Sequence, residues 1–137
     1  MIYRLVGIEK SLIPSDFEQR TTVMTQIGIL NGAMEKTVAA VYEVEKRPEE
    51  KIHRPWLEQL HQQTKDGMEA VDKLAVTPWI NGEKITQADV SAVVFWDSIT
   101  QVRPNNLPTL ECPKIVALSE KANSLSAFSD TYKVRGH

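Results

Sequence analysis

The chain of 137 residues lacks an excess of positive charge, a long apolar run and a second cysteine. Its 16 Lys plus Arg and 18 Asp plus Glu give a net charge of −2, which argues against the nucleic-acid backbone as the main ligand. No apolar run reaches about 18 residues, so the sequence predicts no membrane span. The start has no signal-peptide layout, and Cys112 alone makes no internal disulfide. We therefore expect a single domain in the reducing cytoplasm.

The motifs of common active sites are also missing. The sequence has no glycine-rich phosphate loop, no Gly-x-Ser-x-Gly elbow and no His-Glu-x-x-His zinc motif. Pro55 separates His53 from His61, and His137 is the last residue. Cys112 is better explained as a small, half-buried residue than as a reactive thiol. The residues by themselves predict no metal ion, no bound cofactor and no complete active site.

The first predicted helix follows Pro14. Ser15 is placed as its N-cap, with Glu18 three residues later as in a capping box. Gly32 lies inside this helix, where glycine costs about 1 kcal/mol relative to alanine, so we expect a close helix contact there. Apolar residues at helical spacing predict the buried face: Val23, Ile27, Leu30, Met34, Val38 and Val41.

The second predicted helix begins at Pro48 or Pro55, because proline is tolerated in a first turn. Its opposite face is polar, so one side should border solvent, and the two helices should form an antiparallel hairpin. The predicted buried face comprises Leu57, Leu60, Thr64, Met68, Val71 and either Leu74 or Ala75.

A turn and a capping motif precede the most apolar segment. Residues 79–82 combine an apolar anchor with an Asn-Gly turn, and Thr86 and Asp89 have the spacing of a reciprocal N-terminal cap. The apolar run 90–96 then predicts a central, buried helix, with a β-strand as the alternative. A loop at 104–108, a helix from Pro113 and a short last helix ending near Val134 complete an all-α bundle of about five helices.

A polar pair lies on the first helix beside Gly32. Asn31 and Glu35 are four residues apart, so they share one helical face. Such a pair contacts a ligand or simply forms a solvated helix face, and the pattern alone leaves both interpretations open.

Residues 79–90 resemble a segment of the C-terminal helical domain of cytosolic glutathione S-transferases, bacterial members above all. In that family an aromatic-apolar-x-Gly turn precedes a Thr or Ser cap, then Ala-Asp and the central buried helix. Pro14-Ser15-Asp16 matches the linker between the two domains of the family. Ser126-Ala127-Phe128 matches its closing helices, so the resemblance covers most of the chain.

The resemblance implies a division of the chain. Residues 1–14 correspond to the end of a preceding thioredoxin-like domain and the linker, and residues 15–137 to the helical domain. The thioredoxin-like domain of the family carries the catalytic Ser, Cys or Tyr that holds glutathione, so no catalytic residue transfers to this sequence. The first helix of the family lines the pocket for the second substrate, which makes Asn31, Gly32 and Glu35 the candidate substrate-binding residues. Thr86 and Asp89 match its capping motif.

The implied activity is that of a complete transferase, in which glutathione is the co-substrate and its thiolate attacks a small electrophile. This chain alone is expected to be inactive and to form a homodimer through its first two helices. An alternative is a non-catalytic, transferase-like interaction module, as attached to translation factors, although no basic extension is present. A third alternative is a helical bundle unrelated to the family, in which the capping motif would have arisen by coincidence.

Overall fold

The computed structural model describes residues 7, 10–102 and 109–131. These residues form no β-strand, and none of their helices combines the length and apolar character needed to cross a membrane. Met1–Val6, the predicted loop at 104–108 and Val134 lie outside them. The predicted all-α architecture of about five helices is confirmed: α1 (Phe17–Glu45), α2 (Arg54–Leu74), α3 (Gln87–Val102), α4 (Pro113–Asn123) and α5 (Ser126–Ser129).

The N-cap of helix α1 lies one residue later than predicted. Asp16, not Ser15, is the N-cap, with extended backbone and a carboxylate that accepts the backbone N–H of Gln19 at 2.9 Å. Both residue types cap helices well, so the sequence did not distinguish them. The capping pair is therefore Asp16 and Gln19, and the predicted pair of Ser15 and Glu18 is wrong.

The buried face of α1 differs from its prediction at one position. Val23, Leu30 and Val41 are buried, and Ile27 and Met34 are partly buried. Val38 is 46% exposed, because Thr37, one residue earlier on the helix, takes the inward position toward α2. The assignment of Val38 to the core is wrong.

Helices α1 and α2 come into close contact at Ala33 and Gly67. A Cβ added at Gly67 would lie 2.9 Å from the Cβ of Ala33, whereas a Cβ at Gly32 would meet nothing within 4 Å. The predicted close contact at Gly32 is therefore wrong, and Gly67 makes it instead. Beside this contact the hydroxyl oxygens of Thr37 and Thr64 lie 3.1 Å apart, both buried.

Helix α2 buries the predicted residues, with Ala75 rather than Leu74 completing the face. Its first residues are Arg54 and Pro55, so Pro55 opens this helix and Pro48 precedes the 3₁₀ turn Glu49–Lys51. The buried carboxylate of Glu43 on α1 accepts the backbone N–H of His53 at 3.0 Å. This hydrogen bond fixes the start of α2 against the end of α1.

The segment before α3 is a tight turn held on α1. Trp79 and Gly82 exchange two backbone hydrogen bonds of 3.0 and 3.1 Å, and Gly82 has φ +114°, a conformation that favours glycine. The side-chain amides of Asn81 and Gln26 exchange two hydrogen bonds of 2.7 and 2.9 Å. The turn predicted at 79–82 therefore also connects α1 to the approach of α3.

Asp89 is the third residue of α3, and its carboxylate is completely buried. One oxygen accepts the backbone N–H of Ile80 at 2.7 Å. The other accepts the backbone N–H of Thr86 at 2.7 Å and the Thr86 hydroxyl at 2.9 Å. The Thr86 side chain thus donates to Asp89, where the reciprocal cap expected from the sequence had it accept a backbone N–H.

Helix α4 is attached to α2 and α3 by hydrogen bonds from polar groups, most of them buried. Asp72 at the end of α2 accepts the backbone N–H of Ile115 at 2.8 Å, and Lys114 donates to the carbonyl of Ala75 at 2.6 Å. On α3, the buried Asp97 accepts from Ser119 at 2.5 Å and from Asn123 at 2.8 Å. The first pair of bonds joins α4 to the end of α2, and the Asp97 pair joins α4 to α3.

We expect Asp89→Ala to destabilise the fold far more than Asp16→Ala. Removing Asp89 leaves three buried donors without an acceptor, at a cost of about 2–4 kcal/mol. The exposed Asp16 accepts a single N–H, and losing such a cap costs about 0.5–1 kcal/mol. Urea denaturation of both variants measures the difference, and equal shifts of the midpoint would contradict the role given to Asp89.

Candidate substrate groove between α1 and α3

A groove of about 190 Å³ opens between α1 and α3. Its deepest side chains, Leu30 and Phe95, belong to the main core. None of its lining residues carries a charge: the apolar ones are Leu30, Met34, Val90, Val94 and Phe95, and the polar ones are Asn31, Gln87 and Ser91. The groove therefore suits a small apolar molecule with a few hydrogen-bonding atoms.

The local fold fixes the α3 wall of the groove. The turn at 79–82 and the Asp89 carboxylate set where α3 starts, and the backbone N–H of Gln87 donates to the carbonyl of Leu12 at 2.9 Å. Val90 and Val94, one and two helical turns after Gln87, face the groove, and Val94 remains 53% exposed. The apolar wall on α3 is therefore accessible to solvent and to a ligand.

The structure separates the three candidate substrate-binding residues. Asn31 is exposed on the rim of the groove, and its side chain has no hydrogen-bond partner within the described residues. Glu35 is exposed one turn further along α1 and does not line the groove. Gly32 is partly buried and also lies outside the lining. A substrate contact of these residues stays a prediction, and Asn31 has the position that suits it best.

The groove residues on α3 were not among the candidates from the sequence. Gln87, Ser91 and Val94 are four and three residues apart, so they lie along one face of the helix. That spacing could have indicated a shared face. The residues around them are nearly all apolar, however, so the sequence did not show which face of α3 is exposed.

A second cavity, of about 780 Å³, lies between the segment at 11–16, the start of α1 and the turn at 81–86. Asp16, Glu18, Glu83 and Lys84 bring charges of both signs to its wall. It is a wide cleft with charged groups on its wall, unlike the uncharged groove between α1 and α3.

The described residues contain no cluster of histidine, cysteine and acidic side chains that would hold a metal ion. His53 precedes α2, and its backbone N–H donates a hydrogen bond to the carboxylate of Glu43. His61 lies within α2, and its buried Nε2 atom has no hydrogen-bond partner in the part of the chain that the structure describes. His137 lies outside the described residues.

Two solved structures resemble this fold over most of the chain. The glutathione S-transferase of Methylobacillus flagellatus, crystallised with glutathione bound, superposes with a TM-score of 0.79 at 22% identity. The match covers 90% of this chain and 61% of that one. A glutathione S-transferase of Methylobacterium radiotolerans, in complex with glutathione sulfonate, gives a TM-score of 0.75 at 16% identity, covering 99% and 66%. The chain has a glutathione S-transferase-like helical fold.

The similarity to these two transferases is found in the three-dimensional structure and not in sequence comparisons. No family sequence model and no curated protein sequence matches the chain. The chain also spans less than two thirds of the length of either transferase. The match and the helical architecture agree with the C-terminal helical domain expected from the motif at 79–90.

Cys112 in this glutathione S-transferase-like fold is a buried structural residue. It precedes α4 and is 2% exposed, more deeply buried than the sequence suggested. Burial first, and then the nearby carboxylates of Asp72 and Glu69, raises the pKa of its thiol to about 12. The thiol is thus protonated at neutral pH and is a poor nucleophile.

We expect Cys112 to resist thiol reagents in the folded chain. A pKa raised from 9.0 to about 12 lowers the thiolate fraction at about pH 8 roughly a thousandfold. Labelling with dithionitrobenzoate should be slow in native buffer and fast in denaturant. Ser126→Cys, at the exposed start of α5, in a Cys112→Ala background provides the reactive control. Equal rates for the native and unfolded chain would contradict the burial of Cys112.

Proposed function

We propose that this chain is the helical substrate-binding domain of a glutathione S-transferase. In the complete enzyme the glutathione thiolate attacks an electrophilic carbon and forms a carbon–sulfur bond. With an aryl halide, the carbon–halogen bond breaks and the halide leaves with the electron pair, while the thiol proton passes to a base. The fold similarity to two transferases crystallised with glutathione or glutathione sulfonate supports this assignment.

The observation that carries the proposal is the uncharged groove between α1 and α3. Its apolar walls would hold the electrophile, and the exposed carboxamide of Asn31 at its rim would orient a polar substituent. In the resembled family the thioredoxin-like domain packs against the first and central helices, so the groove would lie at the boundary of the two domains. Ligand sites are frequent at such boundaries.

Thiol activation is assigned to a group outside the described residues. Lowering the pKa of glutathione requires a positioned donor or positive charge beside the sulfur. The groove has no charged residue, and the oxygen of its one hydroxyl, Ser91, lies 3.5 Å from the side-chain amide of Gln87, which donates to it. The domain would therefore bind the second substrate without activating the first.

We further propose that the chain acts in the cytoplasm and forms a homodimer. A single buried cysteine with a raised thiol pKa suits a reducing compartment. The exposed apolar residues on α1 supply a surface for a second copy.

The 137-residue chain alone should not conjugate glutathione to a chloronitrobenzene above the uncatalysed rate. The physical reason is the lack of a thiol-activating group in the groove. Absorbance of the thioether product measures the rate. Turnover that is abolished by Ser91→Ala, with unchanged folding, would overturn the assignment.

The groove itself should bind small neutral aromatic electrophiles or their glutathione conjugates. Amide signals of Asn31, Val90, Ser91 and Val94 should shift in NMR titrations with an S-arylglutathione. Val94→Asp should weaken this binding at least about tenfold, because a carboxylate is costly in an apolar wall. Val116→Asp is the matched control, an exposed valine on α4 away from the groove. Equal loss in both variants, or shifts confined to the cavity near 81–86, would contradict the proposed site.

A further inference from the structure

The cavity of about 780 Å³ beside the start of α1 has no part in the function proposed for the groove. Its walls are the segment 11–16, the first turns of α1 and the segment 81–86, and among the described residues it shares no lining with the groove. Pockets for small organic ligands commonly measure roughly 300–1,000 Å³. This cavity, named the charged cleft below, therefore has the size of a ligand site.

The floor of the charged cleft is apolar and belongs to the core. Val23 is buried, and Ile13 and Ile85 are partly buried against the main core. The packing around these side chains holds them in place, so the floor keeps its shape when a ligand binds. An apolar body placed on this floor would leave water and contact these three side chains.

The rim of the charged cleft carries more negative than positive charge. Its carboxylates belong to Asp16, Glu18 and Glu83, and Lys84 contributes an ammonium group. The Asp16 carboxylate already caps α1. The side chains of Glu18 and Glu83 are exposed and make no hydrogen bond or ion pair in the part of the chain that the structure describes. Two carboxylates on different walls are therefore available to a ligand.

The hydroxyl groups of the wall favour a cation as well. Ser11 and Thr22 donate to backbone carbonyl groups at 2.9 and 3.0 Å, and Thr86 donates to the carboxylate of Asp89 at 2.9 Å. These three hydroxyl groups use their protons within the chain, so toward a ligand their oxygens can only accept hydrogen bonds. An ammonium group has three N–H donors and no acceptor, and it matches this wall better than an anion does.

We propose that the charged cleft binds a small organic cation, in which an aryl or alkyl body carries an ammonium group. The ammonium group lies between Glu18 and Glu83, where it forms charge-assisted hydrogen bonds. The apolar body lies on the floor made by Ile13, Val23 and Ile85. This site is separate from the groove between α1 and α3, so the proposal does not depend on the function or the substrate of the groove.

Three probes with a similar apolar body test the charge preference. Phenylbutylamine is a cation at neutral pH, phenylbutanol is neutral and phenylbutyrate is an anion. In NMR titrations of the full chain, the amine should shift the amide signals of Thr22, Glu83 and Ile85. It should bind at least about tenfold more tightly than phenylbutyrate, because attraction to two carboxylates replaces repulsion from them. Added sodium chloride should reduce this difference, since salt screens exposed charges. An equal or higher affinity for phenylbutyrate would overturn the proposal.

Glutamine variants test the two carboxylates. The double variant Glu18→Gln, Glu83→Gln removes both charges and should bind the amine no more tightly than the alcohol. Both side chains are exposed and unpaired within the described residues, so the variant should fold normally, which circular dichroism verifies. Glu120→Gln removes an exposed carboxylate on α4 and is the matched control, with an unchanged affinity for the amine. An amine affinity that the double variant does not lower would contradict the site, as would shifts confined to Ser91 and Val94 in the groove.

Discussion

The carboxylate of Asp89 holds together the parts of the molecule on which the groove depends. Its oxygens accept hydrogen bonds from Ile80 and Thr86, so one buried side chain fixes the turn at 79–82 and the start of α3. The burial of a carboxylate is costly unless its hydrogen-bonding capacity is used, and here three donors use it. The direction of α3, and hence the wall formed by Val90 and Val94, follows from this arrangement.

A buried carboxylate also accepts a backbone N–H at the start of two other helices. Glu43 on α1 accepts the N–H of His53 before α2, and Asp72 on α2 accepts the N–H of Ile115 in the first turn of α4. Helix N-termini have free N–H groups and a partial positive charge, both of which a carboxylate satisfies. Each of these acids comes from an earlier helix: Glu43 from the helix directly before α2, and Asp72 from two helices before α4. The order of the helices along the chain is thereby coupled to their packing in space.

Patterns within a single segment were sufficient to predict most of the fold. The amphipathic face of α2 and the spacing of Thr86 and Asp89 are local properties, and the helices followed them. The inward position of Thr37, the close contact at Gly67 and the carboxylates near Cys112 depend on residues distant in sequence, so spacing along the chain did not reveal them. For the same reason the sequence indicated Asn31 on α1 but not Gln87 and Val94 on the opposite wall of the groove.

The side-chain amides of Gln26 and Asn81 join α1 to the turn that precedes α3, and neither of these groups is charged. Neither amide titrates near neutral pH, and added salt screens interactions between charges rather than hydrogen bonds between neutral groups. The ion pairs Arg47–Glu43, Arg54–Glu49 and Lys65–Glu69 lie elsewhere, each with at least one partly exposed partner. The distance between the groove walls should therefore change little with ionic strength. A salt dependence of ligand affinity would then reflect the charge of the ligand itself.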